Sequence, residues 1–337
     1  MDIELRKGAT VCLAMLLLLS ACAPAATQPT PEPVTLRVRR SPFLSYAPFF
    51  IAEEEGYFAE QGLQIEWVAI QRPPDAVPLL AQGEMDVSSD MTTVGLVNAM
   101  AQGAKIKFVA DKGYLDPAGC TYNALIASRA LVEAGELEGP AQLKGRKIDA
   151  KPVLFEGYWV GKLLASAGLT FDDVELVDID PAVEPEALNE GSVHLTVSSE
   201  PWVTRILQSG NGVVWRTAQE VLPGSQFATI QFGPSLLEQN PDAGKRFMVA
   251  YLKGVRQYNE GKTERNLEIV AKYTELDREL LEQACWLPID SDGSVNVKSI
   301  LEFQDWAVEE GYIDSPASEE QIWDPSFIDY ANEVLGK

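Results

Sequence analysis

The chain has 337 residues, of which 50 are acidic and 27 basic, so its formal net charge at pH 7 is −23. A surface this acidic repels phosphate groups, which argues against nucleic-acid binding and against broad contact with anionic lipid. The length is sufficient for two domains of ordinary size with a substantial core.

The first 21 residues have the pattern of a secretory signal peptide. Basic residues precede an apolar run over residues 11–19, which is too short to span a bilayer as a helix. Leu19-Ser20-Ala21-Cys22 then resembles the lipobox of bacterial lipoproteins, although an ordinary signal peptide with a chance cysteine is the alternative. We expect residues 1–21 to be removed and Cys22 to carry lipid. The protein would then be anchored to the cell membrane outside the cytoplasm, on the periplasmic side in a diderm host.

Residues 22–33 contain four prolines and no large apolar residue. Such a segment cannot bury a core and favours extended, polyproline-like conformations. The sequence therefore predicts a lipid-anchored, proline-rich tether at this point.

From residue 34 onward, short runs with strand-like alternation are interspersed with helical runs, which is typical of an α/β protein. Strands are predicted over 34–38, 63–67, 85–87, 106–110, 124–127, 147–149, 174–177, 194–197, 213–216 and 227–232. Helices are predicted over 49–55, 75–83, 92–102, 158–167, 184–190 and 201–208. Beyond Pro234 the pattern is almost wholly helical, over 242–259, 266–273, 279–284, 299–310 and 326–335.

Four segments carry a resemblance to one protein family. They are Tyr46–Glu66 with its Gly-Tyr-Phe and Gly-Leu turns, Leu80–Ser88, Gln102–Ala110 and Leu143–Ile148, which reads Leu-Lys-Gly-Arg-Lys-Ile. They resemble the periplasmic-type binding proteins for nitrate, sulfonates, taurine and thiamine pyrimidine precursors. The likeness covers about residues 34–330.

This resemblance implies a two-lobed type II periplasmic binding protein that closes on its ligand like a hinge. Each lobe would be a mixed sheet flanked by helices, and the C-terminus would be helical. Lobe 1 would comprise residues 34–119 and 222–337, and lobe 2 residues 120–221. The resemblance further implies a monomer that delivers a small-molecule solute to ABC permease and ATPase subunits, without a cofactor and without catalysis.

Ligands in open α/β sheets bind beyond the carboxyl ends of strands, where the next helices begin. This rule predicts a set of ligand-binding side chains: Ser45, Tyr46, Asp90, Met91, Thr92, Phe155, Glu156, Tyr158, Glu184, Glu200, Trp202 and Gln226. Each has an alternative role. The aromatic residues could be plain packing, Asp90 could be a helix N-cap, and Glu184 could act on a helix dipole. The position of Glu200 is similar to that of a glutamate in the pyrimidine-precursor branch.

One segment departs from the oxyanion-binding relatives. They usually have a small Gly/Ser-rich turn at the start of the second-lobe helix, whereas Pro152–Tyr158 is bulky and carries Glu156. A carboxylate repels an anion. We therefore expect a small neutral or weakly basic aromatic heterocycle, such as a thiamine pyrimidine precursor or a riboflavin-like vitamin. The alternatives are a sulfonate, taurine or nitrate receptor and an enzyme resembling the pyrimidine-precursor synthase.

Cysteine chemistry is limited to one pair once Cys12 is removed with the signal peptide and Cys22 is lipidated. Cys120 and Cys285 form either an exported disulfide or two separate buried thiols, and the sequence leaves this open. No CxxC motif or Cys/His cluster is present, so no metal site is expected.

Overall fold

The computed structural model of the chain describes residues 33–70 and 72–336. The predicted signal peptide, nearly all of the predicted tether and the lipidation site at Cys22 lie outside the described residues. Within these residues, no helix combines the length and apolarity needed to cross a membrane.

The described residues form ten strands: β1 (Val34–Arg40), β2 (Leu63–Ala69), β3 (Val87–Met91), β4 (Lys107–Tyr114), β5 (Asn123–Ser128), β6 (Lys147–Asp149), β7 (Glu175–Val177), β8 (Leu195–Ser199), β9 (Gly212–Thr217) and β10 (Gln226–Phe232). The helices up to β10 are α1 (Ala47–Glu54), α2 (Tyr57–Glu60), α3 (Pro73–Ala81), α4 (Val94–Ala101), α5 (Arg129–Glu133), α6 (Phe155–Ala165), α7 (Glu184–Glu190), α8 (Trp202–Ser209) and α9 (Ala218–Val221). The helices after β10 are α10 (Pro241–Tyr258), α11 (Glu264–Thr274), α12 (Arg278–Gln283), α13 (Val297–Glu309), α14 (Glu319–Ile322) and α15 (Ser326–Leu335).

The strands form two five-stranded mixed sheets. The first has the order β2–β1–β3–β10–β4, in which β10 is antiparallel to both of its neighbours and β1 is parallel to β2 and β3. The second has the order β7–β6–β8–β5–β9, in which β5 is antiparallel to both of its neighbours. The predicted fold class is confirmed: two mixed sheets flanked by helices, with a helical C-terminus. The proposed lobe boundaries remain a prediction.

The first sheet is covered by α1 and α10, which pack closely on one another. α1 buries almost all of its residues, including Phe49, Phe50 and Ile51. Gly254 lies where α10 crosses α1, and a Cβ atom there would be 2.3 Å from the Pro48 carbonyl oxygen. Only glycine allows this approach, which lets the ring of Tyr251 pack 4.9 Å from that of Phe49, centroid to centroid.

Several predicted element boundaries differ from the structure, and two of these differences have identifiable reasons. The helix expected to begin at Asp75 begins at Pro73, because prolines occupy its first turn and Arg72 is the N-cap. The strand expected over residues 85–87 is found over Val87–Met91. Its polar residues Ser88–Asp90 are buried, so the alternation of apolar and polar residues that marks a half-exposed strand is missing.

Cys120 and Cys285 form a disulfide, which settles the alternative that the sequence left open. Cys120 lies in the first of two crossover segments between the sheets, after β4, and the second crossover follows β9. The crossovers pair through Leu115, whose N–H donates to the Ser225 carbonyl (2.9 Å) and whose carbonyl accepts from the Gly224 N–H (2.7 Å). The disulfide therefore ties a crossover to the loop that follows α12.

Candidate functional site

The carboxyl-terminal edges of the two sheets face each other. Thr93, directly after β3, forms an antiparallel bridge with Leu154, directly before α6. Beside it the Val94 N–H donates to the Val153 carbonyl at 2.9 Å. The strand ends that were expected to bind ligand therefore lie where the two sheets meet, and their contact with a ligand stays a prediction.

On the first sheet, a buried arginine joins two of the predicted residues. Arg39 is completely buried and donates from its guanidinium to the Tyr46 hydroxyl at 2.8 Å. It also forms an ion pair with Asp90. The Tyr46 hydroxyl in turn donates to the Ser89 carbonyl at 2.6 Å. Asp90 is thus a salt-bridge partner and not a helix N-cap, since Thr93 caps α4.

Lys112 adds a second buried cation to this edge. Its ammonium donates to the Ser45 hydroxyl at 3.0 Å and lies 3.9 Å from the centroid of the Tyr46 ring. Tyr122, next to β5 of the second sheet, also hydrogen-bonds to Ser45. Burial lowers the pKa of Lys112 to about 7, against the attraction of Asp90. Burial likewise raises the pKa of Asp90, against the attraction of Arg39.

Several hydroxyls at this edge are buried without an internal partner. Thr92, Ser41 and Ser89 each have a side-chain oxygen with no hydrogen-bond partner among the described residues. Such atoms are uncommon in folded proteins and are candidates for contact with a ligand or water. Met91, the remaining predicted residue here, is half-buried and lines a cavity of about 10 Å³ together with Asp90.

On the second sheet, three buried carboxyl groups form a cluster, and one lysine contacts part of it and the exposed Asp178 at 3.4 Å. Asp149 ends β6, Glu156 lies in the first turn of α6 and Glu184 begins α7. The ammonium of Lys151 donates to Asp149 at 3.0 Å. The hydroxyl of Thr196 lies 3.1 Å from Asp149 and 2.9 Å from Glu184, so it joins the two carboxyl groups.

Burial makes these acids hard to ionise. It raises the pKa of Glu184 to about 8, despite hydrogen bonds from Ser198 and Thr196. It raises the pKa of Glu156 to about 7, despite the attraction of Lys151. The cluster can therefore accept hydrogen bonds from a ligand, and a bound cation would favour ionisation of its carboxyl groups.

The predicted aromatic residues are mostly packed by the protein itself. Phe155 lies edge-on to Phe227 of β10, with centroids 5.5 Å apart. Tyr158 packs on Phe303 (5.6 Å) and Trp306 (5.2 Å) of α13. Tyr158 is therefore held in the packing arrangement given as its alternative, and its contact with a ligand stays a prediction.

Glu200 and Trp202 lie apart from both clusters. Glu200 faces an open cavity of about 500 Å³ that is also lined by Lys262, Trp286 and the disulfide. Trp202 begins α8, is half-buried, and has the Arg205 guanidinium carbon 4.6 Å from its ring centroid. The structure does not bring these two side chains into contact with the carboxyl cluster of the second sheet.

Gln226 is used internally. Its amide nitrogen donates to the side chain of Asp111, to the Gly113 carbonyl (3.0 Å) and to the Ala228 carbonyl (2.8 Å), and its amide oxygen accepts from the Asn296 N–H at 2.9 Å. This side chain fastens β4, β10 and the loop before α13 together. Because β10 runs antiparallel to its neighbours, Gln226 at its start lies at the same edge as the carboxyl ends of β3 and β4.

The raised pKa values of the buried carboxyl groups predict an unusual pH dependence of the protein's stability. Burial raises the pKa of Asp111 and Glu156 to about 7 and that of Glu184 to about 8. Between their ordinary values and these values the folded protein holds protons that the unfolded chain has lost, so stability falls as pH rises from about 4 to about 8. The lowered pKa of Lys112 acts oppositely, but only above pH 7.

We expect the free energy of unfolding to be larger at pH 5.5 than at pH 7.5, by on the order of 3 kcal/mol. Urea denaturation at both pH values measures it. Glu184→Gln should reduce the difference, because glutamine cannot ionise. Stability that rises between these pH values would show that the acids are ionised in the folded protein.

The described residues contain no group of three or more His, Cys, Asp or Glu side chains arranged to hold a metal ion.

Residues 44–260 match the family model described as NMT1/THI5 like. The chain belongs to this family. A Brucella abortus relative, named only provisionally as a binding protein, is 24% identical over 259 residues, which are 73% of this chain and 76% of the relative.

Solved structures share the fold of this NMT1/THI5-like chain. The periplasmic nitrate-binding protein NrtA from Synechocystis PCC 6803 has a TM-score of 0.72 at 15% identity, covering 91% of this chain and 90% of its own. The periplasmic aliphatic sulphonate binding protein SsuA from Escherichia coli has a TM-score of 0.68 at 18% identity, covering 88% and 93%. The desulfurization enzyme DszB also shares this fold, with a TM-score of 0.64 at 14% identity, covering 90% of this chain and 99% of its own.

Proposed function

We propose that this chain is the extracytoplasmic solute-binding component of an ABC importer and catalyses no reaction. Its family, and the fold it shares with NrtA and SsuA, support a receptor that encloses a solute between two lobes. The predicted signal peptide and lipidation of Cys22 would keep it beside its permease and ATPase partners. It would act as a monomer.

We further propose that the solute is a small neutral or weakly basic aromatic heterocycle. The observation that carries this is the cluster of Asp149, Glu156 and Glu184, three buried carboxyl groups with one lysine at the cleft edge. A ring that presents N–H groups or a protonated nitrogen would satisfy these oxygens. A thiamine pyrimidine precursor or a riboflavin-like vitamin has such an edge.

A sulfonate, taurine or nitrate ligand is the second candidate. Lys112 and the unpartnered hydroxyls of Ser41 and Thr92 favour it, as do the ligands named for NrtA and SsuA. Against it, Arg39 is already engaged by Asp90. An anion would therefore meet one buried cation on the first sheet and a surplus of carboxyl groups on the second.

The enzyme alternative has less support. The protein contains one histidine, His194, whose Nδ1 accepts from the Lys147 N–H at 2.9 Å and so links the starts of β6 and β8. These strand starts lie at the opposite edge of the sheet from the carboxyl cluster. This histidine is therefore placed to hold the sheet together.

Isothermal titration calorimetry of the lipid-free protein tests the ligand class. We expect binding of an aminopyrimidine or riboflavin, and little heat with taurine, nitrate or an alkanesulfonate. Binding confined to taurine, nitrate or the alkanesulfonate would contradict the heterocycle proposal and favour the second candidate. Turnover of a heterocycle with release of product would show that the protein is an enzyme and not a receptor.

We expect Glu184→Gln to weaken binding of a basic heterocycle about tenfold, because glutamine cannot become negative when a cation enters. The fold should persist, since a carboxyl group with a pKa of about 8 is mostly neutral at pH 7 and glutamine has the same shape. Glu190→Gln, at the exposed end of the same helix, is the matched control and should bind normally. Equal affinity in both variants would remove Glu184 from the site.

A further inference from the structure

We propose that the open cavity between α8 and the loops after α10 and α12 is a second small-molecule site, which binds an apolar α-amino acid as its zwitterion. Its volume is about 500 Å³, within the range of small-molecule sites, about 300–1,000 Å³. The described residues that line it include none of Asp149, Glu156 and Glu184. The proposal therefore does not rest on the proposed function.

One wall of the cavity is apolar and partly open to solvent. Val203 and Leu207 of α8 and Val214 of β9 line it. Leu207 is 40% exposed and Val214 is 37% exposed. An aliphatic group in the cavity would remove the exposed surfaces of both side chains from water, which favours binding.

The wall formed by the loop after α12 is held in place by several contacts. The Trp286 ring stacks on that of Tyr258, with centroids 5.1 Å apart. The Tyr258 hydroxyl donates to the Leu287 carbonyl at 2.9 Å, and Asn259 Nδ2 donates to the Ile289 carbonyl at 2.8 Å. The disulfide joins the same loop to the first crossover. A ligand would therefore meet a preformed wall, and its binding would require little ordering of the protein.

Glu200 and Lys262 line the cavity and give it one charged group of each sign. Both contact the same peptide unit. The Lys262 ammonium donates to the Ala284 carbonyl at 2.7 Å, and the Glu200 carboxylate accepts from the Cys285 N–H at 3.0 Å. The path through that peptide unit limits the distance between the ammonium nitrogen and the carboxylate oxygen to about 8 Å. The amine and carboxylate of an α-amino acid can span this distance, with a charge-assisted hydrogen bond of about 2.8 Å at each end.

Each charged group has hydrogen-bonding capacity left for a ligand. An ammonium has three donors, and the Lys262 ammonium uses two of them on backbone carbonyls. A carboxylate has about four acceptor positions. That of Glu200 accepts from the Cys285 N–H and from the N–H and hydroxyl of Thr204. Among the described residues, one donor of Lys262 and one acceptor position of Glu200 therefore remain.

The electrostatics of the cavity favour a ligand with both charges. Burial raises the pKa of Glu200, despite hydrogen bonds from the backbone, and lowers the pKa of Lys262, against the attraction of Glu200. Lys262 would repel a simple cation and Glu200 would repel a simple anion, whereas a zwitterion meets an opposite charge at each end. The aliphatic wall then favours an apolar side chain, such as that of leucine.

Isothermal titration calorimetry of the lipid-free protein with L-leucine tests the site. We expect leucine to bind about tenfold more tightly than isopentylamine, which lacks the carboxylate, or isocaproate, which lacks the amine. Lys262→Met and Glu200→Gln should each weaken leucine binding about tenfold. Lys262 is exposed, so its replacement tests the site even where Glu200→Gln fails to fold. Lys298→Met removes an exposed lysine of α13 and is the matched control, which should bind leucine as wild type does.

Absence of heat with millimolar leucine would overturn the proposal. Equal affinity for leucine, isopentylamine and isocaproate would also overturn it, because the cavity would then recognise only the apolar group. Unchanged leucine affinity in Lys262→Met would place leucine elsewhere, with the same consequence. A heterocycle that binds at the carboxyl cluster should leave leucine affinity unchanged, and displacement of leucine by it would show a single shared site.

Discussion

Arg39→Met should lower the free energy of unfolding by about 3–5 kcal/mol, measured by urea denaturation. Arg39 is completely buried, and its removal would leave the Asp90 carboxylate buried with its main cationic partner gone. The Tyr46 hydroxyl would lose a donor as well. Desolvation of the remaining carboxylate is the source of the large effect, since the favourable energy of the pair itself is much smaller.

Two further variants separate this cause from general damage. Arg278→Met removes an exposed arginine that pairs with Glu264 and Glu282, and should lose far less stability, because solvent screens exposed ion pairs. The double variant Arg39→Met/Asp90→Leu removes both charges and should be more stable than Arg39→Met alone. If the double variant is the less stable of the two, the uncompensated carboxylate is not the cause.

Replacing both Cys120 and Cys285 by serine should lower the free energy of unfolding by about 2–5 kcal/mol. The disulfide joins residues 165 positions apart, so it restricts a large part of the unfolded chain. Denaturation curves in the absence of reductant measure the loss.

Wild-type protein that has been reduced and alkylated is the control and should lose a similar amount. A double-serine variant as stable as the oxidised wild type would show that the bridge does not stabilise the fold.

The fold could be predicted from the sequence because its signals are local. Alternation in β1 and the runs of apolar residues in α1 and α10 identify elements, and glycines mark many of their ends. The Tyr46–Glu66 segment then indicated the family, which residues 44–260 confirm. The strand at β3 was misplaced because its buried residues are polar, and burial of polar groups depends on partners that lie far away in sequence.

The candidate site was only partly predictable for the same reason. The rule that ligands bind beyond strand ends selects Asp90, Glu156 and Glu184, which lie at the facing edges, because the rule depends on strand direction alone; their contact with a ligand stays a prediction. The rule does not select Arg39. The alternation of β1 predicts that this arginine is solvent-exposed, but its side chain is buried against Tyr46 and Asp90. An arginine one residue before the end of a strand that leads into a binding loop is the signal that could have identified it.

The position of β10 has a consequence for biogenesis. This strand fills the gap between β3 and β4, although about 110 residues, including all strands of the other sheet, separate it from β4 in the chain. A polypeptide emerging from a ribosome therefore cannot complete its first sheet until residue 232 has appeared. Until then β3 and β4 expose unpaired edges, which favours chaperone capture and delays native folding until more than two thirds of the chain has emerged.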